Sequence, residues 1–139
     1  MNPLYPLVAQ RAGHRCEYCR APEAIFNLIF EVEHIVPTSR DGPDAESNCA
    51  LACRSCNLYK SDQIEGRDEV TQKNVRLFHP RRDRWDEHFR IERETGTTLG
   101  LTPIGRATRV GCRWTRRRGR ATLTGAHGDR LRTVPVWDL

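Results

Sequence analysis

FEVEHIVPTSRDGPDAESNCALACRSCNLYKSD, residues 30–62, is the stretch on which the reading of this chain turns. The run IFNLIFEV, residues 25–32, is rich in β-branched and aromatic types and short enough for a strand. Pro37 stops that strand soon after His34. TSRDGPDAES, residues 38–47, is a loop by its density of Ser, Asp, Gly and Pro. NCALACRSCNLYK, residues 48–60, then carries a cysteine knuckle and opens a helix expected to run into the mid-60s. Glu33 and His34 are therefore neighbours at a strand end, with Asn48 in the following segment and Asn57 at the head of a helix. A histidine in that position takes a proton from water near neutral pH. Carboxylate and amide oxygens hold a hard divalent cation that offsets charge on a leaving oxygen. Together these suit phosphodiester hydrolysis. Each residue alone also has a plain reading, since a strand-end His is often solvated and a loop Asn often caps or turns.

The cysteines frame this excursion. Cys16 and Cys19 form one C-x2-C pair and Cys53 and Cys56 another. A single pair could be coincidence or a redox couple, but two pairs in a thiol-reducing compartment favour four-thiolate zinc. The expectation is one structural zinc ion clamping the base of the excursion. Cys49 and Cys112 fit neither pair, and Cys49 reads as a small buried hydrophobe. His14 lies beside the first pair, but four thiolates already complete a tetrahedron.

Working outward, residues 4–13 read as a short helix stopped by Gly13. Residues 68–90 read as helical pieces broken by Pro80, with Trp85 and Phe89 on one face. FRIE and TLGL flank a hairpin turn near Gly96, and Thr102-Pro103 marks a helix start. The chain has 139 residues, 37% apolar and 29% charged, with mean hydropathy −0.68, so a small core needs a staple. No apolar run is long enough for a membrane span, and the first residues lack the pattern of a secretory signal. A cytoplasmic location is expected.

The net charge is +5, but it is unevenly placed. Residues 106–139 hold nine arginines and no lysine against two acids, whereas the rest of the chain is slightly acidic. The excess positive charge is a property of the tail alone.

EVEHIVP, a Gly-containing loop, Asn48 and then C-x2-C-N-L-Y-K-S-D together resemble the HNH endonuclease family, in the variant with Asn in place of the last His. The resemblance runs from residue 11 to about 107 and includes LFHPRRDRWDEHF and GLTPIGRAT, as in bacterial stand-alone members. It implies an α+β fold: a small ββα-metal finger stapled by a four-cysteine zinc site, with extra helices and a short hairpin C-terminal to it. It implies that His34 is the general base, that Glu33 and Asn57 hold one catalytic magnesium or manganese ion, and that Asn48 fixes the loop and orients the histidine. Glu stands where Asp is frequent and Asn57 where His is frequent, and both retain an oxygen donor.

Arg54 and Lys60 lie within reach of phosphates, or are ordinary solvated charges. Glu31, on the same strand face as Glu33, is either a supporting carboxylate or an exposed strand residue. The expected activity is metal-dependent cleavage of DNA, the rival a non-catalytic zinc-stapled nucleic-acid-binding module. A homodimer or partner protein would supply a second cleft for double-strand cuts. Residues 1–107 are expected to form the domain and residues 108–139 a poorly ordered Arg-rich tail. That composition fits a GC-rich gene read out of frame better than a dedicated basic arm.

Overall fold

The hairpin of β1 (Glu31–His34) and β2 (Cys49–Ala52) is antiparallel, with Glu31 opposite Ala52, Glu33 opposite Ala50 and His34 opposite Cys49. β2 is buried throughout, and it runs directly into α2 (Arg54–Lys60) with Cys53 as the N-cap residue. Strand, strand and helix form the ββα unit, and the helix touches both strands. The structure is a computed structural model that describes residues 1–26, 28–92, 97–108, 110, 113–117, 120–124 and 130–135. It is a small α+β domain with its four paired cysteines clustered.

α1 (Tyr5–Arg11) has a proline in its first turn and ends before Gly13, which adopts φ +60°. It packs on both strands and buries Val8 and Ala9. The core is thin. Val8, Tyr18, Phe30, Ile35, Leu51, Phe78 and Phe89 are its large members, joined by cysteines and alanines. Phe78 meets Tyr18 and Phe89 edge-on, with ring centroids 6.3 and 5.2 Å away, and Trp85 lies 5.4 Å from Phe89. Trp85 also donates its indole N–H to the Tyr18 carbonyl at 2.7 Å, tying the later part of the chain to the first cysteine knuckle.

Three sequence expectations are corrected. The strand expected over residues 25–32 begins only at Glu31, because Glu23–Ile25 is a 3-10 turn and the Glu23 carboxylate takes the Phe30 N–H out of any ladder. α2 does not reach the mid-60s. Ser61 turns to φ +50° and ends it.

Residues 68–90 are mostly not helical. The chain instead forms a hairpin of β3 (Glu65–Arg67) and β4 (Asn74–Arg76), and only Trp85–His88 (α3) is helix. Asp68 decides this: its carboxylate accepts from the Val70 and Thr71 N–H groups and the Thr71 hydroxyl, closing a turn. Arg106 then grips the buried Asp68 through two bonds of 2.7 and 3.0 Å.

Other expectations hold. β5 (Phe89–Glu92) pairs with β6 (Thr97–Gly100) as the hairpin around residue 96, whose turn lies outside the described residues. α4 (Pro103–Ala107) starts on Thr102, whose hydroxyl accepts from the Gly105 N–H at 3.0 Å. Beyond it, β7 (Arg113–Arg117), β8 (Arg120–Thr124) and β9 (Arg130–Pro135) form an antiparallel meander. Cys112 lies outside the described residues. Among the described residues, no helix is long and apolar enough to cross a membrane.

Candidate active site and cysteine cluster

The two knuckles meet. Cys16, Cys19, Cys53 and Cys56 are all buried, and their sulfurs lie within 4.8 Å of one another. The first pair sits in a tight turn closed by Arg20 N–H to the Cys16 carbonyl, with Arg20 at φ +66°. The second pair occupies the N-cap and first turn of α2. The Cys19 and Cys53 sulfurs are 3.8 Å apart. A tetrahedron with Zn–S bonds of about 2.3 Å has sulfur–sulfur edges of about 3.8 Å. Donor type, burial and spacing therefore fit a zinc ion. Cys49 is buried, as its sequence context suggested.

His34 and its loop form the second feature. Asn48 is buried and uses its whole amide on the loop: Oδ1 accepts from the Val36 N–H, and Nδ2 donates to the Val36 and Pro43 carbonyls, all at 2.9 Å. Its own carbonyl accepts from the Ile35 N–H. The residues following His34 are thus held from one side chain. Gly42 completes the turn, because a Cβ there would lie 1.8 Å from the Val36 carbonyl oxygen. His34 is one-quarter exposed, and its Nε2 lies 2.9 Å from Oδ1 of Asp44, a residue standing mostly in solvent.

The third feature is the seam between β1 and α2. Glu31 and Glu33, two apart on one strand face, meet Arg54, Asn57 and Lys60, spaced three apart on the helix. Asn57 donates its amide to Glu31, and Arg54 reaches the same carboxylate at 3.2 Å. Glu33 points inward. Tyr18 donates to its Oε2 at 2.6 Å, and the Lys60 ammonium lies 2.5 Å from Oε1.

Burial pushes the Glu33 carboxyl up, and Lys60 and Tyr18 oppose that rise. Burial, reinforced by Glu33, pushes the Tyr18 phenol well above its usual range. Burial likewise raises the Cys49 thiol, Asp44 and Glu33 adding to the rise and Arg11 opposing it.

The predicted residues are therefore gathered in three groups. Asn57 is bonded to Glu31 rather than to Glu33. Arg54 stands 77% exposed, whereas the Lys60 side chain is 5% exposed and turned inward on Glu33 and the His34 carbonyl. Sequence reasoning missed Asp44 altogether and treated Glu31 as peripheral. The spacing of Glu31 from Glu33 was the available signal for it, and nothing local marked Asp44 as a partner of His34. His14, weighed as a zinc ligand, is committed to Glu23 at 2.7 Å.

Glu31, Glu33 and Asn57 offer oxygens of the type a hard divalent cation takes; here Glu33 is engaged by Lys60 and Tyr18, and Asn57 by Glu31. Residues 16–63 match the family model described as HNH endonuclease, a segment that contains both knuckles, the loop and the seam. The match points to nuclease chemistry on nucleic acids, a hydrolase reaction. No curated protein and no solved structure matches the chain.

Proposed function

We propose, from the premise that residues 16–63 are an HNH endonuclease domain, that this protein is a metal-dependent DNA endonuclease with His34 as its general base. The observation that supports this most is the setting of His34: one-quarter exposed, on a strand end, with its loop held by Asn48. An ionised Asp44 only accepts hydrogen bonds, so the imidazole proton is assigned to Nε2 and the lone pair to Nδ1. Nδ1 takes a proton from water as the water oxygen attacks phosphorus. The phosphorus–oxygen bond to the leaving group breaks, and the leaving oxygen takes a proton from solvent. Glu33 and Asn57 are proposed to hold one magnesium or manganese ion, with Glu31 beside them. When bound, that ion offsets the charge that develops on the leaving oxygen.

Lys60 in this reading holds Glu33 in place rather than touching phosphate, while Arg54, exposed beside Glu31, exchanges that carboxylate for the backbone of the duplex. The four cysteines are proposed to bind one structural zinc ion. Residues 1–107 form the working domain, and 108–139 are an Arg-rich appendage of separate origin. The rival reading keeps the scaffold and the nucleic acid but not the reaction. Incubating the protein with supercoiled plasmid across several divalent metals decides between them. Nicked or linear product in magnesium or manganese, absent without metal, supports the enzyme. Intact plasmid under every metal, with duplex still bound, establishes the non-catalytic module.

A further inference from the structure

The proposed base itself belongs to a donor set whose third member, Cys49, the hydrolysis does not use. The β1–β2 register places Cys49 directly opposite His34, and the loop held by Asn48 brings Asp44 to the same ring. One ligand atom each from His34, Asp44 and Cys49 lies within 4.8 Å of the others. We propose that these three residues form a second metal site, selective for zinc-class ions, whose occupation takes His34 out of use. The binding stands on this geometry alone. Its inhibitory consequence rests on the reading of His34 as general base.

The chemistry of the trio sets the ion. Imidazole, carboxylate and thiolate are the three ligand types of tetrahedral zinc, and a thiolate disfavours magnesium, which prefers oxygen alone. Binding releases the Cys49 thiol proton to solvent, and the resulting thiolate with one carboxylate matches the charge of a divalent ion. Bonds of about 2.0–2.3 Å give donor separations of roughly 3.2–3.7 Å. The observed Nε2–Oδ1 distance is 2.9 Å, so the set closes on an ion through small shifts. Asp44 can supply those shifts and the entry path, being 76% exposed, while Cys49 is fixed in a buried strand. Three protein ligands leave the fourth position to water, unlike the closed set of four cysteines.

The switch follows from the imidazole. An ion taken up through Nε2 displaces the proton there and breaks the hydrogen bond to Asp44. The proton of the neutral ring then resides on Nδ1, which can no longer accept one from water. Magnesium at the oxygen-lined seam and zinc at the trio would therefore act in opposition.

The test is metal content and calorimetry on the intact chain equilibrated with buffered zinc. The wild type should hold one zinc equivalent more than Cys49→Ala, and Asp44→Ala should match the cysteine variant. Loss of an outer-shell partner alone costs about 10–100-fold in affinity, so loss of a ligand should weaken this equivalent by on the order of 100-fold or more. Asp44→Ala alters an exposed side chain, so its result stands even if Cys49→Ala folds poorly. Equal zinc content in all three proteins overturns the site. If the extra equivalent is present, the ratio of plasmid cleavage with zinc to that without should rise toward one in Cys49→Ala. Extra binding with no change in that ratio overturns the switch and leaves the binding site standing. A protein that never cleaves defeats the nuclease reading, not the binding.

Discussion

Replacing Lys60 with methionine separates two roles that its charge alone cannot distinguish. The side chain is 5% exposed, its ammonium 2.5 Å from Glu33 Oε1 and 3.2 Å from the His34 carbonyl. Methionine retains the length and apolar stem but removes the charge, leaving the Glu33 carboxylate buried with Tyr18 as its remaining partner. Breaking one member of a buried pair costs about 3–5 kcal/mol. At this chain length that is a fall in Tm of roughly 10–20 °C. In the double variant Glu33→Gln/Lys60→Met the buried charge is gone and the new amide still accepts from Tyr18. Stability should then recover by about 2–3 kcal/mol relative to Lys60→Met, a coupling that a double-mutant cycle reads directly. Denaturant unfolding monitored by circular dichroism at fixed zinc, without magnesium or manganese, supplies the stabilities. Duplex affinity against salt supplies the second readout, and its slope should be unchanged in Lys60→Met. Were Lys60 a phosphate contact, stability would hold and the slope would fall by about one. That pattern would refute the burial argument.

Metal analysis should find about one zinc per chain in protein not loaded with excess metal, and a strong chelator should unfold it. A metal-free preparation with unchanged circular dichroism contradicts the staple. Asp68 is held well below the usual carboxylate range, chiefly by Arg106, and its turn hydrogen bonds add to this against burial. Its stabilising effect is therefore full above an unfolded value of about 3.9 and lost as pH falls through the lower folded value. Asp68→Asn should accordingly lie below the wild type in Tm at pH 6, and the gap should narrow in acid; parallel Tm curves would contradict this. For residues 108–139, translating the gene in the other two frames beyond the codon for Ala107 should reveal a continuing amphipathic helix. If neither frame does, and deleting the tail weakens and flattens salt-dependent DNA binding, the eight arginines of residues 108–139 are a working basic arm.

The parts of this fold that sequence alone makes legible are those set by short-range rules. Paired cysteines, the Thr102-Pro103 helix start, the Gly13 stop and the loop of residues 38–47 each depend on a few neighbouring residues. What local pattern does not carry is which of two adjacent polar groups turns inward. Glu33 reads as a metal ligand and Lys60 as a phosphate contact or solvated charge until the helix is laid on the strand, and only then do they meet each other. Asp44 meets His34 only because Asn48 and the close approach at Gly42 fold the loop back. The β3–β4 hairpin escapes notice for a similar reason. Its turn is closed by Asp68, whose own partner, Arg106, lies far along the chain.

Single-turnover cleavage of a duplex by His34→Ala and Asn57→Ala, each over a wide range of magnesium, tests the central claim most directly. His34→Ala should lose about 10²–10⁴-fold in rate, and added metal should not repair it, since the missing group is the base. Asn57→Ala should instead recover part of its activity as magnesium rises. Equal rescue of both variants, or cleavage by His34→Ala at the wild-type rate, would contradict the assignment of the base.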